Sequence, residues 1–516
     1  MPETYKPSLD TIERILDKTH CNDVTPNIVP VFRELSSDLL TVSEAYLKIC
    51  SQAKSKYTFL FESAATENIG RYTFMGASPW KVLKTGEGHG DSVDPLPALE
   101  LELSKRRIAQ VPGLLLPPLT GGAIGYVGYD CIRYFEPKTA KPMKDILKVP
   151  ESLFMFFDTI VAFDRLTEQM KVITYLHVPE DLSMLPDAYK SAQEIIDSVV
   201  RTLIAPGKVL PVQDSIVLGH QYTSNIGQAG YEQHVQTLKK HIVQGDIIQA
   251  VPSQRIVRPS SLHPFNIYRE LRAVNPSPYL FYIDCDDFQI VGASPELLVK
   301  KEAGRIITHP IAGTVKRTHD PDEDKILGDL LQNSAKDRAE HVMLVDLARN
   351  DINRVCDPLS TTVDRLMTVE KFSHVQHLTS QVSGVLRQGK TRFDAFRSIF
   401  PAGTVSGAPK VKAMELIAQL EKEKRGVYAG AVGYFGHNSV DTYGNETEGE
   451  MDTCIALRTM VVKAGQIYLQ AGGGIVFDSD PTDEYEETMN KARSNITTIT
   501  RAERLYSSPK SSQGIS

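Results

Sequence analysis

From about Asn27 to Leu176, short β-rich runs alternate with Gly/Pro-rich turns: Thr58-Phe59-Leu60-Phe61, Phe154-Met155-Phe156-Phe157 and Lys171-Val172-Ile173-Thr174-Tyr175. This is the pattern of a sheet with a few helices. Residues 181–201 carry helical apolar spacing, and the Pro206-Gly207 and Pro211 that follow mark a connector. A second half opens with Tyr231, Val235, Leu238 and Ile242, a stripe ending at Gly245 that predicts an amphipathic helix running into a strand from Ile247 to Val257. Strands and helices then mix to about residue 503. The boundaries read from this are 27–176, a connector 177–226, a second unit 227–503 and a tail 504–516, Ser/Gly/Pro-rich from Ser507 and expected to be disordered. Neighbouring strands with few helices between them predict an α+β fold, a sandwich of mainly antiparallel sheets with helices packed outside and the N-terminal part interwoven with the rest.

Composition narrows the function classes. With 57 basic and 64 acidic residues, the formal charge of -7 leaves no global positive field for a nucleic acid. The six cysteines, Cys21, Cys50, Cys131, Cys285, Cys356 and Cys454, form no C-x-x-C pair and read as reduced, buried small residues. No apolar run approaches the roughly 20 residues that span a bilayer, and no apolar signal core is evident. No membrane association and a cytoplasmic location are expected, so the N-x-T triplets at Asn445 and Asn495 are chance matches.

Two predicted helices each carry carboxylates three residues apart. Asp337 and Glu340 open one; Asp480-Pro481 caps the other, which sets Glu484, Glu487 and Lys491 on one face. Hard oxygen ligands from two elements suit Mg²⁺, whereas either pair alone is accounted for by a solvated charged face. Just before the second helix, Gly472-Gly473-Gly474 would let backbone N–H groups approach an anion, or would simply form a turn. The segment 400–410, which contains Thr404, departs from G-x-x-x-x-G-K-[ST], so nucleotide binding is rejected. His377 lies in an alternating, strand-like stretch, as a structural histidine or as an acid, base or electrostatic partner. Arg458 is a charge in an apolar strand pattern and calls for a buried partner, naturally a bidentate carboxylate.

Over about Tyr231 to Arg501 the motifs E-H-x-M-L-V-D-L-A-R-N-D, G-T-V-S-G-A-P-K and E-x-x-E-T-x-N-K-A resemble those of the chorismate-utilising enzymes. That family includes synthases of anthranilate, aminodeoxychorismate, isochorismate and salicylate. The resemblance implies chorismate as substrate, held beside Mg²⁺. Glu340 and Glu487 would be direct metal ligands. Asp337, shorter than the family's usual glutamate, and Glu484 would act through water. Gly313, Thr314, Thr404, Tyr428, Arg458, Gly472, Gly473, Gly474 and Lys491 would hold chorismate. Glu296 would be the general acid for the departing ring hydroxyl, with His377 beside it.

Two positions separate the subclasses. Gln249 stands where water-adding members carry a lysine base, and Ala312 stands where aminodeoxychorismate synthases carry a nucleophilic lysine. Ammonia must then attack ring C2 directly, a route that leads to anthranilate and pyruvate. The resemblance extends to Leu60-Phe61-Glu62-Ser63 and Asn275-Pro276-Ser277-Pro278-Tyr279-Leu280-Phe281, which match a feedback tryptophan site and make 27–176 regulatory. Ser63, Pro278, Tyr279 and Leu280 would contact the inhibitor. No G-x-C-x-G elbow with a downstream H-x-E is present, so a separate glutamine amidotransferase subunit is expected to supply ammonia. The rivals are an aminodeoxychorismate synthase, which Ala312 opposes, and a chorismate-binding or tryptophan-sensing scaffold without catalysis, which the full set of acid, ligands and clamps opposes.

Overall fold

A computed structural model describes residues 4–19, 23–63, 70–318, 320–371 and 375–507. Cys21 and residues 508–516 of the expected tail lie outside them, and 504–507 belong to the helix Pro481–Ser507. Among the described residues two large sheets dominate, of 15 and 10 strands, paired antiparallel apart from the contacts of Arg107–Ala109 with Ile28–Ser36 and Asn438–Val440.

The alternation of side chains along each strand builds the layers. In Ser152–Phe157, Leu153, Met155 and Phe157 enter the cluster between the sheets, while Phe154 and Phe156 face the helices outside. In Tyr279–Cys285 of the other sheet, Phe281, Ile283 and Cys285 point inward and Leu280 and Tyr282 outward. The rings of Phe59 and Phe157, 4.9 Å apart, join the two sheets. Both faces of these strands are covered, so they read as unbroken apolar runs. Helices Val42–Ser51, Leu185–Ile204, Pro264–Val274 and Pro481–Ser507 cover the first sheet. Pro95–Ser104, Ala335–Asn353 and Arg392–Ile399 cover the second.

Both sheets interleave strands from the two halves of the chain. Tyr57–Glu62 pairs with Tyr279–Cys285, and Gly122–Val127 pairs with Ala431–Phe435. The expected connector contains helix Leu185–Ile204, whose Leu185, Ala192, Ile196, Val200 and Leu203 are core residues, so this segment is a layer of the fold. The expected helix at Tyr231 runs Gly227–Val243. The strand expected from Ile247 is instead a two-residue bridge, Gln249–Ala250, followed by Ser253–Pro259, because Gln249 and Ala250 leave the large sheet to pair with Gly407–Ala408. The five described cysteines are free. No helix among the described residues is long and apolar enough to cross a membrane.

Candidate active site

The candidate residues gather where strands of both sheets end. Helix Ala335–Asn353 begins with the Ser334 hydroxyl accepting the Asp337 N–H, which sets Asp337 in the first turn and Glu340 one turn on. Helix Pro481–Ser507 is capped by Asp480, whose carboxylate accepts the N–H groups of Thr482 and Asp483 at 2.9 and 3.2 Å. Glu484 accepts the Ser479 hydroxyl at 2.6 Å, and its other oxygen is buried without a hydrogen-bond partner among the described residues. Glu487 pairs with Lys491 at 2.7 Å, and the Lys491 ammonium also donates to the Gly472 carbonyl at 2.9 Å.

Burial, and then the charges of Glu487 and Asp337, raise Glu340 above the usual carboxylate range; burial and Glu487 do the same to Glu484. The acids of the two helices therefore repel one another across the pocket, with Lys491 as a compensating cation. Among the described residues no three His, Cys, Asp or Glu side chains are gathered as metal ligands. The Glu484 oxygen without a partner among the described residues and the surplus of Asp337, Glu340, Glu484 and Glu487 over Lys491 nonetheless fit a hard divalent cation, which would draw the carboxylates together.

Glu296 sits in the turn between Phe288–Ser294 and Leu297–Glu302. It is buried, accepts the Thr404 hydroxyl at 2.9 Å and a hydrogen bond from the Ile311 N–H, and is pushed up to about 8 by burial. It is thus protonated at neutral pH, as a general acid must be. Thr404, expected at the substrate, has its hydroxyl on this acid.

His377 lies on Val375–Val385 opposite Thr314 of Ile311–Lys316. Its Nδ1 is 3.0 Å from Thr314 Oγ1 and 3.1 Å from the Gly313 carbonyl. A carbonyl only accepts, so Nδ1 carries the hydrogen and Nε2 presents a lone pair. Burial, then the Arg458 charge, bring His377 down to about 4, so the ring is neutral.

Arg458 departs from both expectations. It lies in the turn between Met451–Ile455 and Thr459–Lys463 with φ of 47°, not within a strand. It has no carboxylate partner among the described residues; its guanidinium donates only to Asn275 Oδ1, at 3.4 Å. Burial lowers its pKa. A strained residue holding a desolvated cation without a counter-ion suits an anionic ligand.

Of the three glycines, Gly472 is a steric requirement against backbone, whereas Gly473 and Gly474 lie against the ends of flexible side chains. A Cβ on Gly472, Gly473 or Gly474 would lie 2.5, 2.9 or 2.4 Å from the Pro252 carbonyl oxygen, Glu484 Oε2 or Gln249 Nε2. The Gly472 N–H meets the hydroxyl of buried Tyr428, and the Gly473 N–H donates to Tyr231 at 3.1 Å, so these two amides are engaged within the protein rather than open to an anion. Gln249 is buried; its Nε2 donates to Glu340 Oε1 at 3.2 Å and its Oε1 has no partner among the described residues. Gly313, at φ 68°, brings its backbone against Asp337: an added Cβ would stand 3.0 Å from Oδ1.

The segments compared with a tryptophan site are neighbours. Leu280 opposes Glu62 in register and Ser63 follows, its carbonyl accepting from Arg165 at 2.6 Å. Pro278 is buried, and Tyr279 donates to Asp452 at 3.2 Å. Sequence reasoning missed the pair of Lys410 and Asp351, 2.5 Å apart, which ties the loop carrying Thr404 to the helix carrying Glu340. Lys410 ends one motif and Asp351 ends another, a hint of complementary charge.

Residues 56–497 match the model of the chorismate binding enzymes. The chain is 58% identical to anthranilate synthase component 1 of Saccharomyces cerevisiae, over 97% of each chain. It is 40% identical to that of Streptomyces coelicolor, over 92% of this chain and 90% of the relative. The crystal structure of anthranilate synthase component I from Streptococcus pneumoniae superposes with a TM-score of 0.71 at 36% identity, covering 89% of this chain and 98% of that one. With the acids, the buried arginine and the glycine turn held on the same two-sheet frame, the chain belongs to the chorismate binding enzyme family, in the branch of the anthranilate synthase component 1 proteins.

Proposed function

We propose that this chain is the large subunit of an anthranilate synthase, a carbon–oxygen lyase that joins ammonia to chorismate and releases pyruvate on the way to tryptophan. Gln249 carries the reading. An amide cannot deprotonate water, and its Nε2 is committed to Glu340, which leaves its carbonyl oxygen, without a partner among the described residues, as the group open to a nucleophile. An acceptor there can orient a small nucleophile through its hydrogens, and since the amide cannot take a proton from water, the nucleophile must be one that attacks without a base, as ammonia does. Ala312 offers no nucleophile on the protein.

Arg458 and Lys491 would hold the two substrate carboxylates. Glu340 and Glu487 would bind Mg²⁺ directly, with Asp337 and Glu484 acting through water; the ion supplies charge neutralisation of the substrate dianion. Ammonia attacks ring C2, the two conjugated ring double bonds shift to C1=C6 and C4=C5 as the C4–O bond breaks, and the ammonium formed at C2 loses its surplus proton to water. Glu296 gives its proton to the departing oxygen, which leaves as water, while the neutral His377 Nε2 accepts a hydrogen bond from that hydroxyl beforehand. Loss of the C2 proton and cleavage of the C3–O bond then release the enolpyruvyl group as pyruvate and aromatise the ring.

Ammonia would come from a separate glutamine amidotransferase in the cytoplasm, and tryptophan would inhibit through Ser63, Pro278, Tyr279 and Leu280. Mixing the chain with chorismate, Mg²⁺ and an ammonium salt should produce anthranilate fluorescence, lowered by tryptophan. A dark sample overturns the activity, and insensitivity to tryptophan overturns only the regulation. Glutamine should replace ammonium only when the partner is added.

A further inference from the structure

A buried ion pair lies behind the site, outside the residues assigned above. Arg425 is 0% exposed. Its Nε and Nη2 donate to Glu421 at 2.8 and 2.6 Å, and the outer N–H groups of the fork reach two backbone carbonyls, Val405 at 3.0 Å and Val251 at 2.8 Å. The guanidinium lies 4.4 Å from the Tyr129 ring centre and 5.7 Å from that of Tyr428. Glu421 Oε1 also accepts the N–H and hydroxyl of Ser253, at 2.7 and 2.8 Å. Glu421 ends helix Lys410–Glu421, where a carboxylate meets the negative pole of the helix. Arg425, four residues on, offsets that charge, and Ser253 reaches the carboxylate from a separation of 168 residues.

Each group the pair holds adjoins a reacting residue. Val405 follows Thr404, the donor to Glu296. Val251 follows Ala250 and Gln249, and its N–H is bonded to Ser406, which locks the two loops together at 3.0 Å. Ser253 pairs with Gly472, whose N–H meets Tyr428. We propose that Arg425 is a positioning residue: its planar fork, braced by Glu421, fixes the loops bearing Thr404 and Gln249 so that Thr404 stays on Glu296 and Gln249 on Glu340. This rests on the function proposed above. A lysine, a point charge on a flexible stem, cannot span both carbonyls and the carboxylate.

The test compares Arg425→Lys, Glu421→Gln, Thr404→Val and the Arg425→Lys/Thr404→Val double variant in the full chain. Two readouts are taken: kcat and KM with ammonium, and the titration of Glu296 by infrared difference against Glu296→Gln. Besides Thr404, Glu296 faces the Ile311 N–H and the Lys491 charge. Arg425→Lys should lower kcat by about 10–100-fold with KM for chorismate within about threefold. It should also move the Glu296 titration upward, as Thr404→Val does, and the double variant should move it no further. A Glu296 titration unchanged in Arg425→Lys, or shifts that add in the double variant, overturns the proposal. If Arg425→Lys does not fold, Glu421→Gln, which keeps an oxygen toward the fork, carries the same readings. A wild-type chain that makes no anthranilate would sink the proposed function, while the titrations still decide the role of Arg425.

Discussion

Thr404 donates to Glu296 at 2.9 Å from a loop more than a hundred residues away in sequence, with a separation |i−j| of 108, and this contact holds the acid in a dry pocket. Burial leaves Glu296 protonated up to about pH 8, so turnover should fall as pH rises through about 8. Glu296→Gln should lower kcat by about 10²–10⁴-fold, the worth of a positioned acid.

The same group sets a stability profile. Its folded-state pKa of about 8 lies above the 4.5 of an ordinary glutamate, so the stability it contributes is fully present below 4.5 and is lost as pH rises through 8. Urea titrations of the wild type should show a decline of about 3–5 kcal/mol over that window, and Glu296→Gln should flatten this part of the profile. Equal slopes in the two proteins would contradict a buried, protonated acid.

Arg458 predicts a trade between binding and stability. Its guanidinium is desolvated without a counter-ion, so Arg458→Met should leave the melting temperature unchanged or raised while lowering kcat/KM for chorismate by about 10²-fold or more. Thermal melts and steady-state kinetics on one preparation decide it. A strongly destabilised variant would mean that the cation is structural.

Gln249→Leu removes the orphaned acceptor and keeps the volume. KM for ammonia should rise about tenfold, the value of one oriented hydrogen bond, with KM for chorismate little changed. Equal rises in both would show that the amide shapes the whole pocket.

The acidic helices predict a metal-linked melt. Glu340 and Glu484 have raised pKa values, so the ion-free protein should lose stability as pH rises through those folded-state values. Saturating Mg²⁺ should restore about 1–3 kcal/mol by mass action. A chelator should abolish activity. Scanning calorimetry with and without Mg²⁺ checks this, and Glu484→Gln should blunt the response.

Much of the frame was legible because strands covered on both faces leave unbroken apolar runs, as in Ser152–Phe157, and because helix stripes such as Tyr231, Val235, Leu238 and Ile242 keep their period. The Gln249–Ala250 bridge was not, since its partner Gly407–Ala408 is remote and the local text still alternates like a strand. Arg458 was misread for a related reason: the turn that strains it is set by its neighbours in space. The single residues of the site were legible mainly through motifs. Their protonation states, above all a glutamate held neutral by burial, come from packing that no spacing encodes.

The interleaving of the sheets bears on how the chain is made. When the first quarter leaves the ribosome, the edge of Tyr57–Glu62 has no neighbour on one side until Tyr279–Cys285 has been synthesised. An open edge of Phe and Leu invites pairing with another nascent chain. Chains that have not yet reached Cys285 therefore carry an edge that their later completion covers, and fragments ending before Cys285 should be recovered as insoluble or chaperone-bound material.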